Sequence, residues 1–264
     1  MPAGEKITAW RPPIEGLAEV FHAHFVEHVY PMHTHDAWTL LIIDDGAVTF
    51  ELDHREHGAL RSLVTLLPPH VPHDGRAATP LGFRKRVLYL DDTVLDPALA
   101  GSAVDHPGLT DPVLRTRIHQ LHETLVRPGE DLQAHSRLTL IADRLEQHLR
   151  HRVGPVPHRS DPLLARQLRD LLDANVCHGL SLSAAAADLA VHPAHLIRVF
   201  SREYGIAPHQ YLTGRRVDLA RRMLLAGARP AAVAADTGFY DQAHLTRHFK
   251  RMVGVSPARY ARAR

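Results

Sequence analysis

The chain repeats part of itself once. The stretch GFYDQAHLTRHFKRMVGVSPARY, residues 238–260, has a counterpart 49 positions earlier, so that His244 pairs with His195, Leu245 with Leu196, Arg247 with Arg198 and Phe249 with Phe200. The register continues through Arg251 and Arg202, Gly254 and Gly205, Pro257 and Pro208, and Tyr260 and Tyr211. A repeat at fixed spacing marks a duplicated supersecondary unit, and two copies are fewer than the three a solenoid needs.

Each copy reads as two helices joined by a tight turn. In the first, residues 183–190 form a supporting helix, Val191 and His192 the turn, and residues 193–204 a second helix ended by Gly205. In the second, residues 230–237 support, Gly238, Phe239 and Tyr240 turn, Asp241 caps, and residues 242–253 run to Gly254. A helical stretch over 215–227 connects the two, and an amphipathic helix over 162–176 precedes them, with Asp161 as N-cap and Pro162 at its first position. Leu196 and Phe200, like Leu245 and Phe249, stand four apart and must face a core, which leaves Arg198, Arg202, Arg247 and Arg251 pointing outward. A helix anchored by one face and basic on the other suits the major groove of DNA.

Charge distribution agrees with that division. Residues 1–158 hold 15 Lys+Arg against 21 Asp+Glu, whereas residues 159–264 hold 16 against 8, so net charges of −6 and +8 stand side by side. Only the basic part suits a polyanion. The single cysteine, Cys177, excludes an internal disulfide, and no stretch approaches the roughly 18 apolar residues of a membrane span. With no secretory signal pattern either, a cytoplasmic protein is expected.

Ahead of the basic part lie short β-rich runs separated by turn residues, at 17–30, 38–44, 47–53, 60–67 and 82–91, after an extended arm over 1–16. Asp45-Gly46 predicts a hairpin. Closely spaced strands without intervening helices predict an antiparallel sandwich or barrel with room for a pocket. Residues 82–91 alternate so that Arg84 and Arg86 share one face and Phe83, Lys85, Val87 and Tyr89 the other. An inward Arg84/Arg86 pair would hold a ligand carboxylate, and an outward one would make a basic surface strand. Two helices follow, over 112–126 with a stripe of Val113, Ile118, Leu121 and Leu125, and over 131–150 with Leu132, Leu138, Ile141, Leu145 and Leu149.

Histidine is dense in this part. His33 and His35 share a face of an extended segment, and His73 follows the Pro-rich turn at 68–72. Together they resemble the two His-bearing motifs of cupin barrels, with Trp38, Thr39 and Leu40 where cupins place a Glu, and His70 in place of the second motif's Gly. Three such imidazoles suit a divalent metal with an open coordination position, or the polar edge of a ligand pocket.

Residues 161–264, with the quoted repeat, resemble the DNA-binding domain of the AraC/XylS family of bacterial transcription regulators. The resemblance implies about seven helices, with two recognition helices entering successive major grooves. It also implies a preceding cupin-type domain for effector binding and dimerisation. Carried over by position, the base readers would be Ala194, Ile197 and Arg198 in the first recognition helix and Gln242, Ala243, Thr246 and Arg247 in the second. Arg202, Lys250 and Arg251 would meet phosphates.

The chain thus reads as a two-domain α+β protein. Residues 1–152 form a cupin-like antiparallel β-barrel with C-terminal helices, 153–160 a linker, and 161–264 an all-α double helix-turn-helix domain. The function expected is sequence-specific regulation of transcription by a non-enzyme, with double-stranded DNA, a small-molecule effector, RNA polymerase and a second copy of the chain as partners. The alternative is a metal-binding cupin, sensor or enzyme, fused to a DNA reader through His33, His35 and His73.

Overall fold

The computed structural model describes residues 5–151 and 161–262 and divides into two compact units. The first comprises Met1–Glu123 and Arg137–Pro155, the second Thr124–Ser136 and Val156–Arg264. The expected linker at 153–160 lies outside the described residues.

The first unit is built on ten strands: β1 (Lys6–Trp10), β2 (Leu17–Phe25), β3 (Val29–His33), β4 (Trp38–Gly46), β5 (Val48–Leu52), β6 (Arg55–Ala59), β7 (Val64–Leu67), β8 (His73–Ala77), β9 (Phe83–Leu90) and β10 (Gly108–Leu109). They form two antiparallel sheets, ordered β1-β2-β9-β4-β7-β10 and β3-β8-β5-β6. Leu41, Ile43, Leu67 and Val87 of the first sheet and Phe50, Leu52 and Ala59 of the second are buried in one shared core. β4 is buried at six consecutive positions, Trp38 to Ile43, as a central strand covered on both faces must be.

Two sequence expectations change here. The supposed N-terminal arm contains β1, which pairs with β2 from Lys6↔His24 to Trp10↔Val20. Asp45-Gly46 is a corner rather than a hairpin, because β4 and β5 belong to different sheets. Gly46 is required there: its φ is 72°, and a Cβ would stand 2.1 Å from the Gly82 carbonyl oxygen. The two-residue turn sits instead at Asp53-His54, whose φ values of 48° and 62° connect the paired β5 and β6.

After a 3₁₀ turn at Pro97–Leu99 come α1 (Ala100–Asp105), α2 (Pro112–Leu125) and α3 (Asp131–Leu149). α3 buries Leu138, Ile141, Leu145 and Leu149 of its expected stripe, and Leu132 is half-buried. In α2 the buried stripe is Leu114, Ile118 and Leu121, and Val113 is 53% exposed, one step off the expected phase. Asp111 sets that phase by accepting the N–H groups of Val113 and Leu114 with one oxygen and bonding Arg144 and His148 of α3 with the other. Burial would raise its carboxyl pKa, but the bond from His148, the Leu114 N–H and Arg144 lower it well below the usual carboxylate range.

Seven further helices lie among the described residues: α4 (Pro162–Ala174), α5 (Leu182–Asp188), α6 (Pro193–Tyr204), α7 (Pro208–Leu225), α8 (Pro230–Asp236), α9 (Gln242–Val253) and α10 (Pro257–Arg262). Asp161 caps α4 through the Leu164 N–H, and α6 and α9 both end on left-handed glycines, Gly205 and Gly254. The two copies repeat their cores as well as their helices. Leu196, Phe200, Leu245 and Phe249 are fully buried, and the Phe200–Tyr211 and Phe249–Tyr260 rings meet edge to face at 5.6 and 5.3 Å. No helix among the described residues is long and apolar enough to cross a membrane.

Candidate nucleic-acid interface and ligand pocket

The recognition helices α6 and α9 differ in how much surface they leave outside. On α9, Gln242, Ala243, Arg247, Lys250 and Arg251 are exposed and Thr246 is half-buried, while Leu245 and Phe249 hold the helix down. On α6, Arg202 is exposed and His195 and Arg198 are half-buried. Ala194 and Ile197, expected as base readers, are 0% and 3% exposed. That expectation is corrected: both side chains belong to the core and have no surface to offer a base. Their spacing from Leu196, Val199 and Phe200 widens the buried stripe of α6, and periodicity alone does not fix where that stripe ends.

Asp241 caps α9 by accepting the His244 N–H at 2.6 Å, and His244 in turn accepts the Tyr240 N–H at Nδ1, at 3.2 Å. Nδ1 being an acceptor, neutral His244 carries its proton on Nε2. Arg247 donates to Glu130 Oε1 at 2.9 Å, and His248 Nε2 lies 2.9 Å from the same oxygen. Glu130 stands between α2 and α3, in the segment Thr124–Ser136 that belongs to the same compact unit as α9. Gly129 permits this approach, since with φ at 84° a Cβ there would lie 2.5 Å from His244 Nδ1. Burial would raise the Glu130 pKa, but the hydrogen bond and charge of His248, then Arg247, bring it down to about 2. Glu130 and His248 were not singled out in the sequence, because 118 positions separate them and no spacing rule joins them.

The second site lies between the two sheets. His33 and His73 are direct cross-strand partners of β3 and β8, and a backbone bond from the His70 N–H to the His35 carbonyl, at 2.7 Å, brings in the third imidazole. One ring nitrogen from each of His33, His35 and His73 lies within 4.8 Å of those of the other two. His33 Nδ1 donates to the Pro31 carbonyl at 2.7 Å and His73 Nδ1 to that of Val71 at 3.0 Å, leaving both Nε2 lone pairs free of the ring proton. Burial lowers the His73 pKa, and burial together with His73, His33 and Lys85 lowers that of His35 to about 4, so His35 and His73 are neutral at physiological pH.

Around the imidazoles the cavity is walled by Tyr30, Leu41, Ile43, Phe50, Phe83 and Tyr89. Lys85 also lines it, with Nζ 4.1 Å from the centre of the Tyr30 ring. Arg84 and Arg86 do not. They lie on the opposite face of β9, in an open groove with His22 and His24, and Arg86 is held by Asp44 through two bonds of 2.7 and 2.6 Å. Strand alternation foretold that Lys85 and Tyr89 would share the face opposite the arginines, and only the sheet packing decided which face looks inward.

Three imidazoles brought this close together suit an open divalent metal site. The rest of the donor set fits a dication poorly: a lysine shares the cavity, and Asp74, the carboxylate among the lining residues, is engaged by the Glu51 N–H at 2.6 Å and by Arg76 at 3.8 Å.

Comparison with known proteins places both halves together. Residues 16–142 match the model of the AraC-like ligand-binding domain, and residues 185–263 match a helix-turn-helix domain model. The chain is 25% identical over 237 residues to an uncharacterized helix-turn-helix-type transcriptional regulator of Bacillus subtilis, YbfI, a match covering 86% of this chain and 85% of that one. It is 41% identical over 75 residues to a helix-turn-helix-type transcriptional regulator of Mycobacterium tuberculosis, Rv1931c, covering 28% and 29%. It is 24% identical over 155 residues to the arabinose operon regulatory protein of Salmonella typhimurium, covering 57% and 55%. A ligand-binding β domain followed by a duplicated helix-turn-helix makes this chain a member of the AraC family of DNA-binding transcription regulators.

Proposed function

We propose that α6 and α9 enter successive major grooves about 34 Å apart along the duplex and that α9 carries most of the base reading. The observation that supports this is the outward face of α9, where Gln242, Ala243 and Arg247 are exposed above a buried Leu245–Phe249 anchor. Arg247 and Arg198 fork onto guanine, Gln242 pairs with adenine, and Ala243 and Thr246 lie against thymine methyls. Arg202, Lys250 and Arg251 neutralise phosphates. Arg247 leaves Glu130 to do so, exchanging one anion for another.

In this reading the cavity with His33, His35 and His73 binds a small-molecule effector and regulates DNA binding. Two copies pair through the N-terminal unit, the bound protein contacts RNA polymerase, and the protein acts in the cytoplasm. A duplex selected by the protein from a randomised library supplies the probe. Arg247→Ala is expected to weaken binding to it by about 1–3 kcal/mol and to relax preference at one base position. Unchanged affinity and preference at matched salt count against base reading by α9.

A further inference from the structure

The cavity between the sheets joins two kinds of polar group in an apolar shell. Lys85 has no carboxylate partner among the described residues, and its Nζ lies over the Tyr30 and Phe21 rings, 4.1 and 5.7 Å from their centres. Thr39, 4% exposed, also lines the cavity, and its hydroxyl is buried without a hydrogen-bond partner. Both groups are donors awaiting an acceptor, and buried donors are rarely left unmet. His33 and His73 are the converse. With Nδ1 committed to the Pro31 and Val71 carbonyls, their Nε2 atoms accept and do not donate. A charged donor and a hydroxyl donor face acceptors across a cavity walled by Leu41, Ile43 and Phe50.

We propose that this cavity takes a small hydroxylated carboxylic acid. Its carboxylate rests on Lys85 and Thr39, its hydroxyl donates to the imidazole Nε2 atoms, and its compact apolar body fills the space between the sheets. The inference rests on the reading of this cavity as the effector site and names the chemistry of the effector. A ligand that supplies only charge leaves the imidazole lone pairs unmet, and a neutral phenol or alcohol leaves the lysine unmet. Each omission strands a buried polar group, which is how such sites discriminate.

The test uses the full chain with 3- and 4-hydroxybenzoate, benzoate and 4-hydroxybenzamide, read by calorimetric titration and thermal shift. One of the two hydroxybenzoates is expected to bind saturably at one per chain. Benzoate and 4-hydroxybenzamide should each bind at least about tenfold more weakly. Lys85→Met, which keeps the length and removes the charge, is expected to raise the melting temperature of the unliganded protein and to abolish the preference for acid over amide. His73→Gln should abolish the preference for hydroxybenzoate over benzoate and leave that for acid over amide. The proposal is overturned if neither hydroxybenzoate binds, if Lys85→Met binds the acid as well as the parent does, or if Lys85→Met lowers the melting temperature. Stoichiometric zinc binding that is lost in His73→Gln and kept in Lys85→Met also overturns it. A hydroxybenzoate that binds by these rules without altering DNA binding supports the ligand class and counts against the cavity as the signal input.

Discussion

Two helices built from one repeat meet their surroundings differently. α6 and α9 share Leu196/Leu245 and Phe200/Phe249, all fully buried, yet Ala194, Ile197 and Val199 are buried in α6 where Ala243, Thr246 and His248 occupy α9. Leu and Phe make the same anchor in both copies, whereas the core extends differently round each helix: Ala194 is buried where its counterpart Ala243 is exposed, and Ile197 and Val199 are buried where Thr246 and His248 are half-buried. α6 commits Ala194, Ile197 and Val199 to packing, so the basic chemistry it turns outward is carried by His195, Arg198 and Arg202. α9 keeps Thr246 and His248 at two of these positions and leaves Ala243 exposed at the third, which gives it a wider face, part of it engaged by Glu130.

The anchors should be interchangeable in energy, and truncating them is the strongest way to break the comparison. Phe200→Ala and Phe249→Ala are each expected to cost about 3–5 kcal/mol, by urea unfolding of the full chain. A near-zero loss at either position would mean that its copy is not packed as described. Next, exchanging residues between the copies probes the width of the core. Ile197→Thr should destabilise by about 1–3 kcal/mol, because it removes buried apolar surface and buries a hydroxyl, whereas Thr246→Ile should stay within about 0.5 kcal/mol. Equal effects would erase the distinction between the faces.

Glu130 marks the second copy only through the pairs it makes, and these carry a pH signature. Its carboxyl pKa is depressed from 4.5 to about 2, so the stabilisation is complete above pH 4.5 and is lost as the pH falls through about 2. Glu130→Gln should cost on the order of 1–2 kcal/mol at neutral pH, with the gap to the parent closing over that window. A pH-independent gap would assign the loss to packing. The smallest effect is expected at the helix starts: Asp241→Ala should cost about 1 kcal/mol, and His192→Ala, whose Nδ1 accepts the Ala194 N–H at a longer 3.2 Å, only a few tenths. The reverse order would show that α6, not α9, depends on its cap.

The sequence alone determined much of the helical half. The 49-residue register, the Asp161 and Asp241 caps, the glycine stops and the bounds of α6 and α9 follow from local periodicity and backbone preference, which short stretches carry within themselves. Strand positions in the first unit were readable only in part, since β1, β6 and β8 lack a strong alternating signal and owe their existence to partners far along the chain. Tertiary structure alone decided which face of β9 looks inward, that His33 would stand opposite His73, that Ala194 and Ile197 would be buried, and that Glu130 would reach Arg247. Each of these depends on sheet register or helix packing, which bring together residues that no local pattern relates.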